Sequence, residues 1–212
     1  MDYLKLAEQA VNYVRDACGI LANNREADLQ KVKTLGDSFS KMRKVVGATQ
    51  TEASRLDSQD QIAIRSESCR AFKVGNCEDM ARVAFCWLAA NHVRPLELAY
   101  FTPSNSSASR PVRPAGMPDT IEFEGPDHMF VILGREQNAL DDKGSMGICD
   151  YSFWNEDAVI CDPWAKRWYK KARLGLESKA LARFTGGSTD LSVEYRLDKG
   201  EAWSPVSFKL IV

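Results

Sequence analysis

Along residues 3–23, Leu4, Ala7, Val11, Val14, Cys18 and Leu21 recur at spacings of three and four, which places them on one face of an α-helix. After the polar break Asn23-Asn24, a second series of Leu29, Val32, Leu35, Phe39, Met42 and Val46 predicts a partner helix that continues through Gly36. The pair forms a helical hairpin with apolar faces to bury, so residues 1–50 read as a helical N-terminal annex docked on the body of the protein. Residues 48–68 are dominated by Thr, Ser, Gln and Asp, with Ile62 and Ile64 as the strong apolar anchors, and are assigned to a loop or short helix.

From Cys77 to Ala90 the pattern changes. Met80, Ala81, Val83, Ala84, Phe85, Trp87 and Leu88 surround most of the circumference, the mark of a central buried helix. Leu96–Phe101, Met129–Leu133 and Ala158–Cys161 are short β-prone runs, and Trp168-Tyr169 opens another. Leu191–Leu197 and Val206–Val212 flank the turn-like Asp198-Lys199-Gly200-Glu201 and predict a terminal hairpin. Helices first and strands later indicate an α+β fold, with residues 51–212 as one domain whose antiparallel sheet packs on the Cys77 helix. Between the first two strands, Thr102–Asp119 is rich in Pro and Ser and cannot pair in a sheet over its length; it reads as a disordered insertion ahead of a functional lid.

Composition narrows the classes. The chain has 212 residues, enough for one domain with an annex, and 28 Lys+Arg against 29 Asp+Glu give no global basic field of the kind that nucleic-acid binders use. No nucleic-acid partner is expected. The longest apolar run, Val83–Ala90, is far short of the ~20 residues that span a bilayer, and the N-terminus lacks the pattern of a cleaved secretory signal. The expected location is the cytoplasm of the producing cell. Six cysteines without a CxxC pair argue against a disulfide scaffold and a zinc ribbon, and neither a metal nor a cofactor is expected. The near-neutral total hides two opposed segments, an acidic one over 141–162 and a basic one over 163–184. The basic one, in which Trp164, Trp168 and Tyr169 read as packing, is either a solvated face or a surface that steers an acidic protein or anionic lipid toward a site.

The sharpest chemical signal is Gly75-Asn76-Cys77-Glu78-Asp79-Met80-Ala81, a turn that puts a thiol at the start of the buried helix. There the unpaired N–H groups and the positive end of the helix dipole favour thiolate, the nucleophilic form. Cys86 on the same helix has no such environment and reads as packing. A cysteine nucleophile needs a base, and the chain has two histidines. His92 lies past the far end of the helix, about 20 Å away at ~1.5 Å rise per residue, too distant to serve. His128 opens an apolar strand and is the candidate base. Asp162, which ends a strand before Pro163, is the preferred carboxylate to orient the imidazole; Asp150 is the rival, and Asp127 points the other way on an extended backbone. Each of these residues also has a bland reading: a helix-start cysteine, a strand-start histidine, a strand-end aspartate.

A Cys that opens a buried helix, then a strand beginning in His, then a strand ending in Asp-Pro, resembles the transglutaminase-like and papain-like Cys-His-Asp superfamily over about residues 70–170. The resemblance implies a papain-like or transglutaminase-like core with Cys77, His128 and Asp162 as a catalytic triad. It also implies a thiol hydrolase acting on a protein amide, as protease or glutamine deamidase. Bacterial toxins and effectors with these activities are similar in order and size; that likeness implies a host protein as substrate and translocation into a target cell. Two departures stand out: Gly134–Asp157 looks like an insertion, and no upstream oxyanion donor is evident beyond the Cys77 backbone N–H, with Gln61 and Asn76 as candidates. Transglutaminase, arylamine N-acetyltransferase-like and catalytically inactive binding-module readings of the same fold remain alternatives, and the sequence carries no signal for oligomeric state.

Overall fold

The computed structural model describes residues 1–53, 58–103, 128–136, 142–143, 148–149, 154–176 and 189–205. Asp127, Asp150, most of the 102–119 loop, the 177–184 part of the basic segment and the Val206–Val212 half of the expected hairpin lie outside the described residues.

Helix α1 (Tyr3–Asn12) is capped by the Asp2 carboxylate, which accepts the Lys5 N–H at 3.1 Å. It buries Ala7, Ala10 and Val11 and continues as a π-helical turn over Tyr13–Ala17. Leu21 is therefore not on the predicted helix. The backbone widens until the Cys18 N–H meets the Tyr13 carbonyl at 2.9 Å, and Leu21–Ala22 then form a two-residue strand, β1.

The second predicted helix is two helices, α2 (Glu26–Thr34) and α3 (Ser38–Ala53). The break falls at Gly36, whose φ of 57° lies in the left-handed region that glycine adopts without strain. The Ser38 hydroxyl then donates to the Leu35 carbonyl across the break at 2.6 Å. The assignment of 48–68 to a loop or short helix is corrected more strongly: α4 (Ser58–Phe72) is a full helix of 15 residues. Its polar composition is deceptive because Asp60, Ser66 and Ser68 are buried along with Ile62, Ile64 and Cys69. Tertiary contacts override weak local periodicity.

Strand β2 (Val74–Gly75) pairs in parallel with β1, Leu21 opposite Val74 and Ala22 opposite Gly75. Helix α5 (Cys77–Ala90) has the predicted bounds and is buried on most sides. The chain then forms β3 (Leu96–Pro103), β4 (His128–Leu133), β5 (Asp142–Lys143), β6 (Ile148–Cys149), β7 (Val159–Asp162), β8 (Arg167–Lys170) and β9 (Thr189–Leu197). Among the described residues these make one antiparallel sheet of order β5-β6-β9-β3-β4-β7-β8. The fold is mixed helix and antiparallel sheet, as expected of an α+β chain.

Both sheet faces are covered. Met129, Val131 and Leu133 of β4, with Val159 and Cys161 of β7, pack in the core that holds α1 and α5, while Phe130, Ile132 and Ile160 pack on the other side with Trp154, Tyr169 and Leu174. In the middle of the sheet Glu97 is fully buried and paired with Arg135, through two bonds of 2.6 and 2.5 Å, and with Arg196 at 2.5 Å. No helix among the described residues is long and apolar enough to cross a membrane.

Candidate active site

Three elements bring the sequence-selected residues together. His128 is the first residue of β4 and Asp162 the last of β7, and because these neighbours run antiparallel, both lie at the same end of the sheet. Cys77 is the first residue of α5. The local sequence sets that start closely. Asn76 accepts the Asp79 N–H through its side chain at 3.0 Å, and Asp79 accepts the Asn76 N–H at 3.1 Å, a reciprocal capping box. Gly75 permits this closure, since a Cβ there would sit 2.8 Å from Asp79 Cβ and 2.8 Å from Cys69 Sγ.

The His128 Nε2 atom lies 2.7 Å from Asp162 Oδ2. The other Asp162 oxygen accepts the Ala165 N–H at 3.0 Å, so His128 and the turn after β7 each hold one oxygen of the carboxylate. Cys77 hydrogen-bonds to the same imidazole. With Nε2 engaged by Asp162, Nδ1 is the nitrogen left for the thiol. Burial works against charge on His128. It is outweighed by the Asp162 carboxylate, by the hydrogen bond to it and by Cys77, so the imidazole pKa is held well above its ordinary value. The result is a thiol–imidazole–carboxylate chain at a helix N-terminus, able to form a nucleophile, shuttle a proton and hold the imidazole in orientation.

The other residues considered as players are elsewhere or otherwise engaged. His92 is exposed beyond the far end of α5. Cys86 has its thiol pKa pushed up to about 12, first by burial, with a Ser66 hydrogen bond opposing. Burial likewise raises Cys69 and Cys161. Of the two oxyanion candidates, Gln61 is exposed on α4, and Asn76 is buried at the cap of α5, where its carboxamide oxygen accepts the Asp79 N–H.

Charged neighbours brace the helix that begins at Cys77. Glu78 pairs with Arg65 of α4 and, at 2.8 Å, with Arg82, which reaches Glu194 of β9 at 2.6 Å. Burial would raise the Glu78 pKa, but Arg82 and Arg65 outweigh it and hold the carboxyl below its usual range. Asp79, fully buried beneath the same turn, is pushed up by desolvation against the pull of Arg43 and Arg65.

Two features that the sequence presents as packing and as a simple break, Trp164 and Asn23-Asn24, belong to the surroundings of the site. The Trp164 ring meets the His128 ring edge-on, with centroids 5.2 Å apart, and its indole N–H donates to Asn24 Oδ1 at 2.7 Å. The Asn23 N–H donates to the Gly75 carbonyl at 3.0 Å. Asp28 of α2 secures this segment by accepting from the Ala22 N–H at 3.1 Å and from Arg15 at 2.5 Å. The signal in the sequence is an Asn-Asn pair between two helices, because such residues form turns through their own side chains. No family model, curated protein or solved structure matches the chain.

Proposed function

We propose that the protein is a cysteine-dependent hydrolase of a protein amide, a protease or glutamine deamidase on a papain-like or transglutaminase-like core, acting as a bacterial effector or toxin on a host protein. The observation that carries this reading is the continuous chain from Cys77 through His128 to Asp162 at the start of α5. The effector context rests on the resemblance in residue order and size alone.

In this reading the Cys77 sulfur attacks the carbonyl carbon, and the pair of electrons in the C=O bond moves to oxygen. His128, which has taken the thiol proton, returns it to the departing amine or ammonia as the tetrahedral intermediate collapses to a thioester. Water, deprotonated by His128, then releases the carboxylate and restores the thiol. Asp162 keeps the imidazole oriented and balances its positive charge.

The test is mass spectrometry of candidate host proteins incubated with wild-type protein or with Cys77→Ala. Backbone cleavage that depends on Cys77 identifies a protease, and conversion of one Gln to Glu identifies a deamidase. Loss of the product in His128→Ala, by about 10²-fold or more, is expected for a general base. A substrate proteome unchanged between wild type and Cys77→Ala overturns the reading.

A further inference from the structure

Strand β8 is the last in the sheet order, and its strand neighbour among the described residues is β7. Its two faces are taken: Trp168 packs in the core that holds α1, and Tyr169 in the core on the other side. What is left is the edge. The Lys171 N–H donates to the Ala158 carbonyl at 2.9 Å, and alternate residues of an antiparallel ladder turn the same way, so Tyr169 and Arg167 also bond toward β7. Trp168 and Lys170 therefore turn their N–H groups outward, as Trp168 does its carbonyl, and these three groups have no partner among the described residues. Such an edge is a template for another chain. It is also charged: residues 163–173 carry Lys166, Arg167, Lys170, Lys171 and Arg173 and no acidic residue. Lys171 is paired with Glu156 at 2.8 Å, while Lys166, Arg167, Lys170 and Arg173 are exposed. Arg167 and Lys170 project to opposite faces of the strand, so an added strand meets a cation on either side. A second copy of β8 brings the same charges and is repelled.

We propose that β8 is a docking edge, onto which an extended acidic segment of the protein substrate adds as a further strand. That the docked protein is a substrate rests on the hydrolase reading above. Main-chain bonds to Trp168 and Lys170 hold the segment, and carboxylates beside Arg167 and Lys170 set its register. The edge begins at the site. Arg167 stands opposite Asp162 in the strand register, at the end of the sheet where Asp162 meets His128. With strands about 4.8 Å apart, an added strand lies about 14 Å from the line of β4, a span that about four extended residues cross. The reacting amide therefore lies a few residues beyond the acidic segment, and docking turns its encounter with Cys77 into one within a complex.

The test uses the full chain and two fluorescein-labelled heptapeptides, one alternating glutamate with valine and one alternating lysine with valine. Fluorescence anisotropy is expected to show binding of the glutamate peptide alone, with the largest backbone amide shifts in NMR spectra at Trp168 and Lys170. Lys170 has a φ of −70° and an outward N–H, so Lys170→Pro deletes one edge donor without touching the β7 ladder. It is expected to weaken binding by about tenfold, the worth of one hydrogen bond, against about threefold or less for Lys170→Gln, which removes the charge alone. The glutamate peptide with every amide N-methylated is expected not to bind, which decides the matter if the proline variant fails to fold. Equal losses in Lys170→Pro and Lys170→Gln, or undiminished binding of the N-methylated peptide, overturn strand addition. Binding to vesicles of phosphatidylcholine and phosphatidylserine, with none to the glutamate peptide, overturns it in favour of a lipid surface. The two readings fail separately. A chain that holds the peptide at this edge yet leaves host proteins as Cys77→Ala does refutes the hydrolase and leaves the strand-binding edge standing. Conversion of host proteins by Lys170→Pro at the wild-type rate refutes the docking alone.

Discussion

At the residue scale, His128 holds a proton more firmly in the folded chain than in the unfolded one, because Asp162 and Cys77 outweigh the cost of its burial. A raised folded-state pKa gives a defined sign to the pH dependence. The stabilisation is fully present below the ordinary value of 6.5 and is lost as pH rises through the folded value. The gap in urea midpoint between wild type and Asp162→Asn is therefore expected to be widest below pH 6.5 and to narrow on the alkaline side. A gap that widens with pH contradicts the assignment. Cys77, His128 and Asp162 are legible as candidates in the sequence, because a thiol after a turn, an imidazole at a strand start and a carboxylate at a strand end are local patterns. Asn23 and Trp164 are not legible as neighbours of the site, since their positions depend on a two-residue parallel pairing and on an indole hydrogen bond that no periodicity announces.

At the element scale, the start of α5 is set by a junction without spare room. Gly75→Ala is expected to drive Cβ into Asp79 and Cys69, both buried, and to cost about 1–3 kcal/mol by overpacking. Chemical denaturation measures the loss, and a midpoint equal to wild type would show that the turn yields. The extent of α5 is legible because its apolar residues encircle it and its cap is written in Asn76 and Asp79. Helix α4 is not, because it buries Ser66 and Ser68 beside its aliphatic residues and so lacks a clean stripe. The split between α2 and α3 hinges on Gly36, which a periodic pattern tolerates and a left-handed backbone demands.

At the scale of the whole molecule, the sheet is tied across its centre by ionic contacts as well as by its hydrogen-bond ladder. Glu97 on β3 joins Arg135, just past β4, to Arg196 on β9, with Glu97 and Arg135 exposed by 1% and 2% at their side chains. Glu97→Gln takes the Glu97 charge away from the buried Arg135 guanidinium and is expected to cost about 3–5 kcal/mol, read as a fall in denaturation midpoint. A loss below about 1 kcal/mol would place the two arginines in water instead. The α+β class follows from the order of helices and strands. The burial of this ion cluster does not, because charged positions along a strand pattern read as solvent-facing.

The docking of α1 on β7 and β8 has a consequence in time. The Cys161 thiol of β7 reaches the Ala7 carbonyl of α1 at 3.6 Å, across 154 residues of chain. A ribosome releases the apolar stripe of α1 first and the strand that covers it only after most of the protein has emerged, and such distant closures are slow. Asp162 and Trp164 arrive in that same late stretch. A nascent chain therefore carries Cys77 before Asp162 and Trp164 have emerged, and the contacts that join Cys77, His128 and Asp162 form only when the late strands close over the first helix.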